Sequence, residues 1–281
     1  MRVPAPLSAL LIFWLSATPA SAQALRHYDL AGVPAWRATL PAELAEISGI
    51  AFTPDGDLLA HGDENSLIWR FNLETRQPEG RFGLVGAGGL LRDDFEDIQV
   101  VGERLFLVSS DAVIYEGRIV GDGKTTEAHR RTKGLGKGCE VEGMSWDAAT
   151  KALLLLCKTT RSKQWKDQVV IVAVSTEDWR FEAEPRMLIA ESSLQKVTGQ
   201  KRFNGSAIVR HPRTGTYLLV AGPQRTFAEV SASGQVLGGG SLDKARHRQP
   251  EGLAIAPDLT LLISDEAAGH HAAITAYAYR P

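Results

Sequence analysis

Apolar and polar positions along this chain alternate in short bursts, not at helical spacing, and the bursts recur. Five segments align: "EISGIAFTP" from Glu46, "DFEDIQVVG" from Asp94, "EVEGMSWDA" from Glu140, "NGSAIVRHP" from Asn204 and "QPEGLAIAP" from Gln249. Their third residues, Ser48, Glu96, Glu142, Ser206 and Glu251, are spaced by 48, 46, 64 and 45. A period near 45 is that of one four-stranded propeller blade. Each segment is followed by a second apolar run ("DLLAHGDE", "RLFLVSSD", "ALLLLCKT", "TYLLVAGP", "TLLISDEA") and a third ("SLIWRFNL", "AVIYEGRI", "QVVIVAVS", "TFAEVSAS", "AAITAYAY"). Turn signals such as Pro54-Asp55-Gly56 and Arg213-Thr214-Gly215 divide them, which is all-β patterning. Outer strands are legible in "GRFGLVG", "PRMLIAE" and "GQVLGGG"; the last blade runs out of chain after "TAYAYRP". Its fourth strand is therefore expected from "WRATL" at residues 36 to 40, closing the ring and leaving no open edge between first and last blade. The pattern predicts a five-bladed β-propeller, with six blades as the alternative; the long third interval is assigned to the loops "KTTRSKQWKDQ" and "ESSLQKVTGQKRF".

The first strand of each blade lines the central channel, so the repeat writes two rings. One holds Ser48, Glu96, Glu142, Ser206 and Glu251; the other, two residues earlier, holds Glu46, Asp94, Glu140, Asn204 and Gln249. The positions between them are Ile47, Phe95, Val141, Gly205 and Pro250, as expected if successive side chains point to opposite faces. Six carboxylates in ten positions repel one another unless a cation or protons offset them. Oxygen donors without convergent His or Cys suit a hard ion, and a flexible oxygen-rich set suits Ca²⁺ better than Mg²⁺. Glu96, Glu142 and Glu251, with Glu46, Asp94, Glu140 and Asn204 around them, are the candidate metal ligands. The plainer account is a water-filled channel whose carboxylates are simply solvated.

The loops expected at the same end add charge of both signs. Arg92, Lys133, Lys137, Lys201, Arg202, Lys244, Arg246, His247 and Arg248 precede first strands; Asp63, Glu64, Asp111, Lys158, Arg161, Lys163, Arg225, Asp265 and Glu266 follow second strands. An acidic throat under a basic rim suits a small anionic ligand held together with a metal, with Lys158, Arg161, Arg225, Arg246 and His247 as its anion contacts. Exposed loops are commonly charged without any ligand.

Compartment follows from the N-terminus. "MRVPAPLSALLIFWLSATPASAQA" has one basic residue, a short apolar stretch and Ala20-Ser21-Ala22 before Gln23, the form of a secretory signal peptide over 1–22. Prolines and serines interrupt it, so it is no transmembrane anchor, and 23–281 is expected as one soluble domain, periplasmic or secreted. In that compartment Cys139 and Cys157, at the open end of a hairpin, are expected to form a disulfide. The net charge of −2 gives no bias toward nucleic acid. Two motifs fail: "GMSWD" lacks the final Gly of a nucleophile elbow, and "GDGKTT" lacks the first Gly of a P-loop. His270-His271 reads as a solvated loop pair, and Trp69, Trp146, Trp165 and Trp179 as packing residues.

The segments "EISGIAFTPDGDLLAHGDE", "FEDI", "CEVEGMSWD" with "LLLLCK", "SAIVRHPRTG" and "PEGLAIAPDLTLLISDE" resemble the SdiA-regulated proteins, β-propellers of bacterial envelopes related to the esterase-like phytase propellers. The resemblance implies a propeller and, more loosely, calcium and a phosphorylated or ester substrate. Three functions stay open: a binding propeller with Ca²⁺ at its mouth, a metal-dependent ester or phosphoester hydrolase, and a scaffold for an envelope protein.

Overall fold

A computed structural model describes residues 23–135 and 138–281. The leader expected over 1–22 and the rim residue Lys137 lie outside the described residues. Five sheets follow one another around a ring, each running from an inner strand outward. The inner strands are Ile47–Phe52, Phe95–Val101, Cys139–Asp147, Ala207–Arg210 and Pro250–Ile255, one in each repeat segment. The protein is thus a five-bladed β-propeller. Its fifth blade is completed by Trp36–Thr39, which pairs antiparallel with Ala273–Tyr277, so the chain's two ends share one sheet.

Three elements depart from the repeat, the shortest being Gly89–Leu90, which pairs antiparallel with the end of the first blade's outer strand. The first blade carries an extra strand, Thr125–Glu127, laid parallel on its outer strand Gln77–Gly86 from the connection that leads to the second blade's short outer strand, His129–Arg130. The loop "ESSLQKVT" is a helix, Glu191–Thr198, ended by Gly199 in the left-handed conformation at φ 73°.

The core is distributed between blades. Five apolar clusters occupy the five interfaces, as with Leu154, Leu156 and Ile171 of blade 3 against Tyr217 and Leu219 of blade 4. Ala24, Tyr28 and Leu30 enter the cluster between blades 4 and 5. They are held there by the buried Glu229, which accepts the amides of Ala24 (2.7 Å) and Leu25 (2.9 Å) and the hydroxyl of Thr216 (2.6 Å).

Neighbouring inner strands come into direct contact at the residue after the ring position in blades 1 and 3. A Cβ on Gly49 would lie 2.9 Å from the Asp97 backbone, and one on Gly143 3.0 Å from that of Ala207. A glycine on one side of each contact allows this approach. Asp97 itself ties blades 2 and 3: its carboxylate accepts the amides of Ile98 (2.7 Å) and Met144 (2.6 Å) while 3% exposed. Asp97→Ala orphans both donors, and the urea midpoint is expected to fall by an amount equivalent to about 2 kcal/mol. An unchanged midpoint would show that the tie between blades 2 and 3 adds nothing.

Candidate functional site

The pairing of inner and second strands slips at the same place in four blades. The ladder passes from Ile47 to Gly49, Phe95 to Asp97, Val141 to Gly143 and Pro250 to Gly252, leaving Ser48, Glu96, Glu142 and Glu251 as bulged residues. A β-bulge frees one residue from the ladder and re-aims its side chain. These four side chains line one cup of about 250 Å³ together with Asp63, Asp94, Glu140, Lys158, Gln249 and Glu266. Seven of those ten residues are carboxylates and Lys158 is their one cation.

The cup's electrostatics follow from crowding in a half-buried place. Burial, then Glu142 and Asp94, push the Glu96 carboxyl up to about 9. Burial, Glu142 and Glu266 take Glu251 to about 8. Burial, Asp63 and Glu46 take Glu266 to about 7, and Asp63 rises through burial and Glu46. Lys158 Nζ donates to Glu142 Oε1 at 2.7 Å. A carboxylate so paired ordinarily goes down, yet Glu142 goes up, because burial with Glu140 and Asp94 outweighs the ammonium. For Lys158, burial opposes the charge but the Glu142 bond and the surrounding carboxylates raise it, so it stays protonated.

Of the other ring members, Ser206, Glu46 and Asn204 do not line the cup, whereas Gln249 and Glu140 are part of its wall. Ser206 is buried below it, its hydroxyl donating to the Pro250 carbonyl at 2.7 Å and accepting the Gly222 amide at 2.9 Å. Glu46 lines a side cavity with Glu43, Asp63, Glu64 and Trp69. Asn204 accepts Gln224 Nε2 at 2.8 Å and donates to the Lys158 carbonyl at 3.3 Å. Gln249 donates to Glu266. Glu140, exposed, accepts the Thr159 hydroxyl at 2.7 Å.

The rim needs correction. His247 is wholly buried between Asp265 (Nδ1 to Oδ2, 2.8 Å) and the Tyr277 hydroxyl (Nε2, 2.7 Å). Arg246 donates to that hydroxyl at 3.0 Å and to the Gly32 carbonyl at 2.8 Å. These three residues fasten the closing blade instead of facing a ligand, because Asp265 and Tyr277 supply an interior partner that a loop rich in Lys and Arg conceals. Arg225 occupies a turn at φ 53° and does not line the cup. Lys158 and Arg161 remain at this end and line a second cavity with Lys163, Trp165 and Lys166. The density of basic residues in "KTTRSKQWKDQ" is the sequence signal for that cavity, and Trp165 was its least visible member.

Among the described residues no three His, Cys, Asp or Glu side chains stand in a metal-holding arrangement. The cup's donors, carboxylate, amide and hydroxyl oxygens, match a hard ion in kind. They stand apart, so an ion held there would need water among its ligands. The expected disulfide is formed, with Cα atoms 5.4 Å apart, diagonally across the bulge that frees Glu142. No helix among the described residues is long and apolar enough to cross a membrane.

No protein-family model matches the sequence, and no curated protein matches it. Solved structures do resemble the fold. Glutaminyl cyclase from Myxococcus xanthus is 11% identical with a TM-score of 0.59, covering 87% of this chain and 94% of its own. A glucose dehydrogenase is 11% identical with a TM-score of 0.57, covering 85% and 98%, and a further glucose dehydrogenase structure scores 0.55 at 10% identity. Identities this low show the fold alone, a β-propeller.

Proposed function

We propose that this protein is a ligand-binding propeller of the bacterial envelope whose acidic cup takes a cation, with Ca²⁺ the ion its oxygen donors suit. The observation that carries the reading is the gathering of seven carboxylates around one lysine in about 250 Å³, four walls of the cup being bulged residues. A cation relieves the repulsion that otherwise holds protons on Glu96 and Glu251. The disulfide supports a periplasmic or secreted location, and the resemblance to SdiA-regulated propellers supports the envelope.

One observation favours a second reading, a hydrolase of ester or phosphoester bonds like the phytase propellers. Glu96 and Glu251 carry protons near neutral pH, the state a general acid needs, beside a charged Lys158 able to steady a developing anion. Metal bound at the cup would supply an activated water to that chemistry.

Thermal melting of the EDTA-treated protein tests the first reading. Ca²⁺ at about tenfold over its Kd is expected to stabilise the fold by about 1.4 kcal/mol, a rise of a few degrees. Mg²⁺ at the same concentration is expected to give less, and Glu142→Gln to weaken the Ca²⁺ response several-fold. No rise with Ca²⁺ in the parent protein would refute the ion assignment.

A further inference from the structure

Beside the cup lies a cavity of about 470 Å³ at the top of blade 3, between the loop 160–168 and the connection 191–204. Its walls carry the opposite sign of charge: Lys158, Arg161, Lys163, Lys166 and Arg202 against Asp167 and Glu191. Both acids are engaged by Arg202, at 3.5 and 2.7 Å. Lys158 is engaged by Glu142. That leaves Arg161, Lys163 and Lys166, none of which is ion-paired within the described residues. Exposed lysines alone are ordinarily solvated. A second feature separates this cavity from a solvated loop: Trp165, a residue of the same wall that also packs on the apolar cluster between blades 2 and 3, has a buried indole N–H with no acceptor among the described residues. A buried donor without a partner costs about 1–3 kcal/mol, and an acceptor placed in the cavity would relieve it.

Three unpaired cations and an orphaned N–H describe a receptor for an oxyanion, a carboxylate or phosphate group, through charge-assisted hydrogen bonds. Lys158 belongs to both cavities, its ammonium on Glu142 and its side chain on the wall shared with Arg161. The two subsites are therefore adjacent and opposite in charge. We propose that the cavity is an oxyanion subsite and that the ligand is one small zwitterion, its cationic end among the cup carboxylates and its oxyanion end against Arg161, Lys163, Lys166 and the Trp165 indole. The cationic half rests on the reading of the cup given above; the oxyanion half does not.

Calorimetric titration of the metal-free protein at fixed ionic strength, with inorganic phosphate, ethanolamine and phosphoethanolamine, tests both halves. Phosphoethanolamine is expected to bind about tenfold or more tightly than either fragment, since the second contact becomes intramolecular. Phosphate is expected to change tryptophan fluorescence, and Trp165→Phe to abolish that change. Lys163→Gln with Lys166→Gln is expected to weaken phosphate about tenfold while leaving the melting response to Ca²⁺ intact. Phosphate that fails to saturate, or binds the double variant as well as the parent, overturns the oxyanion subsite, and the Ca²⁺ response still reads the cup by itself. Phosphoethanolamine no tighter than phosphate overturns the zwitterion.

Discussion

Replacing Cys139 and Cys157 together by alanine is expected to cost the fold about 3 kcal/mol, the loop-closure entropy of a bridge spanning 18 residues. The effect should show as a lower guanidinium midpoint with a slope equal to or steeper than the parent's, because the unfolded chain loses a constraint and exposes more surface. It should also reach the cup. Cys139 precedes Glu140 and Glu142 on the inner strand, and Cys157 precedes Lys158 and Thr159 on its partner, so the bridge clamps the two strands that carry the Lys158–Glu142 ion pair and the Thr159–Glu140 hydrogen bond. Cation affinity is therefore expected to fall more in the double alanine variant than in Asp97→Ala, whose damage lies below the cup. Both cysteines are at most 3% exposed, so a reductant acts on the native protein only as fast as the hairpin opens. A midpoint unmoved by the double substitution would mean that the blade's own pairing already fixes the strands.

The blades were legible because each inner strand repeats one polar and apolar order, and the closing strand because the last blade lacked a fourth run. The ring of Ser48, Glu96, Glu142 and Glu251 was legible for the same reason, although the bulges that aim it were not: a bulged glutamate carries no residue-type mark as a bulged glycine would. The extra strand Thr125–Glu127 escaped because three polar residues at a sheet edge have no burial to report. The helix Glu191–Thr198 escaped because it buries only Leu194 and Thr198 and has no side-chain N-cap. Neighbouring residues concealed the burial of His247 and the unsatisfied N–H of Trp165. A basic loop made His247 look exposed although Asp265 and Tyr277 enclose it; Trp165 packs on the apolar cluster between blades 2 and 3 as its residue type suggests, but nothing local marks that its N–H is left unsatisfied beside unpaired cations. Tertiary neighbours decide both, and no local pattern contains them.

Raising the pH from 5 to 9 in EDTA is expected to destabilise the protein by on the order of 3 kcal/mol, a figure that allows for side-chain relaxation toward water. Glu96, Glu251 and Glu266 hold protons in the folded chain up to about 9, 8 and 7, whereas the unfolded chain releases them near 4.5. Across that window the folded state binds more protons than the unfolded one, so stability is full below about 4.5 and is lost as the pH climbs through the folded values. Asp63 and Glu142 face the same cup and are raised as well, so they steepen the fall, while Lys158 stays charged throughout and limits it. A bound cation reverses the logic: it takes the ionised carboxylates that repulsion penalises, so Ca²⁺ should bind more tightly at pH 9 than at pH 6 and flatten the stability profile. Glu96→Gln and Glu251→Gln should flatten it without any ion, because each removes a proton that the folded state otherwise retains. A flat profile in EDTA would show that the carboxylates are screened individually by water, and the cup would then have no charge for a cation to relieve. A slope that Ca²⁺ leaves unchanged would keep the crowding but remove the ion from it, and the cationic end of an organic ligand would become the first occupant to test.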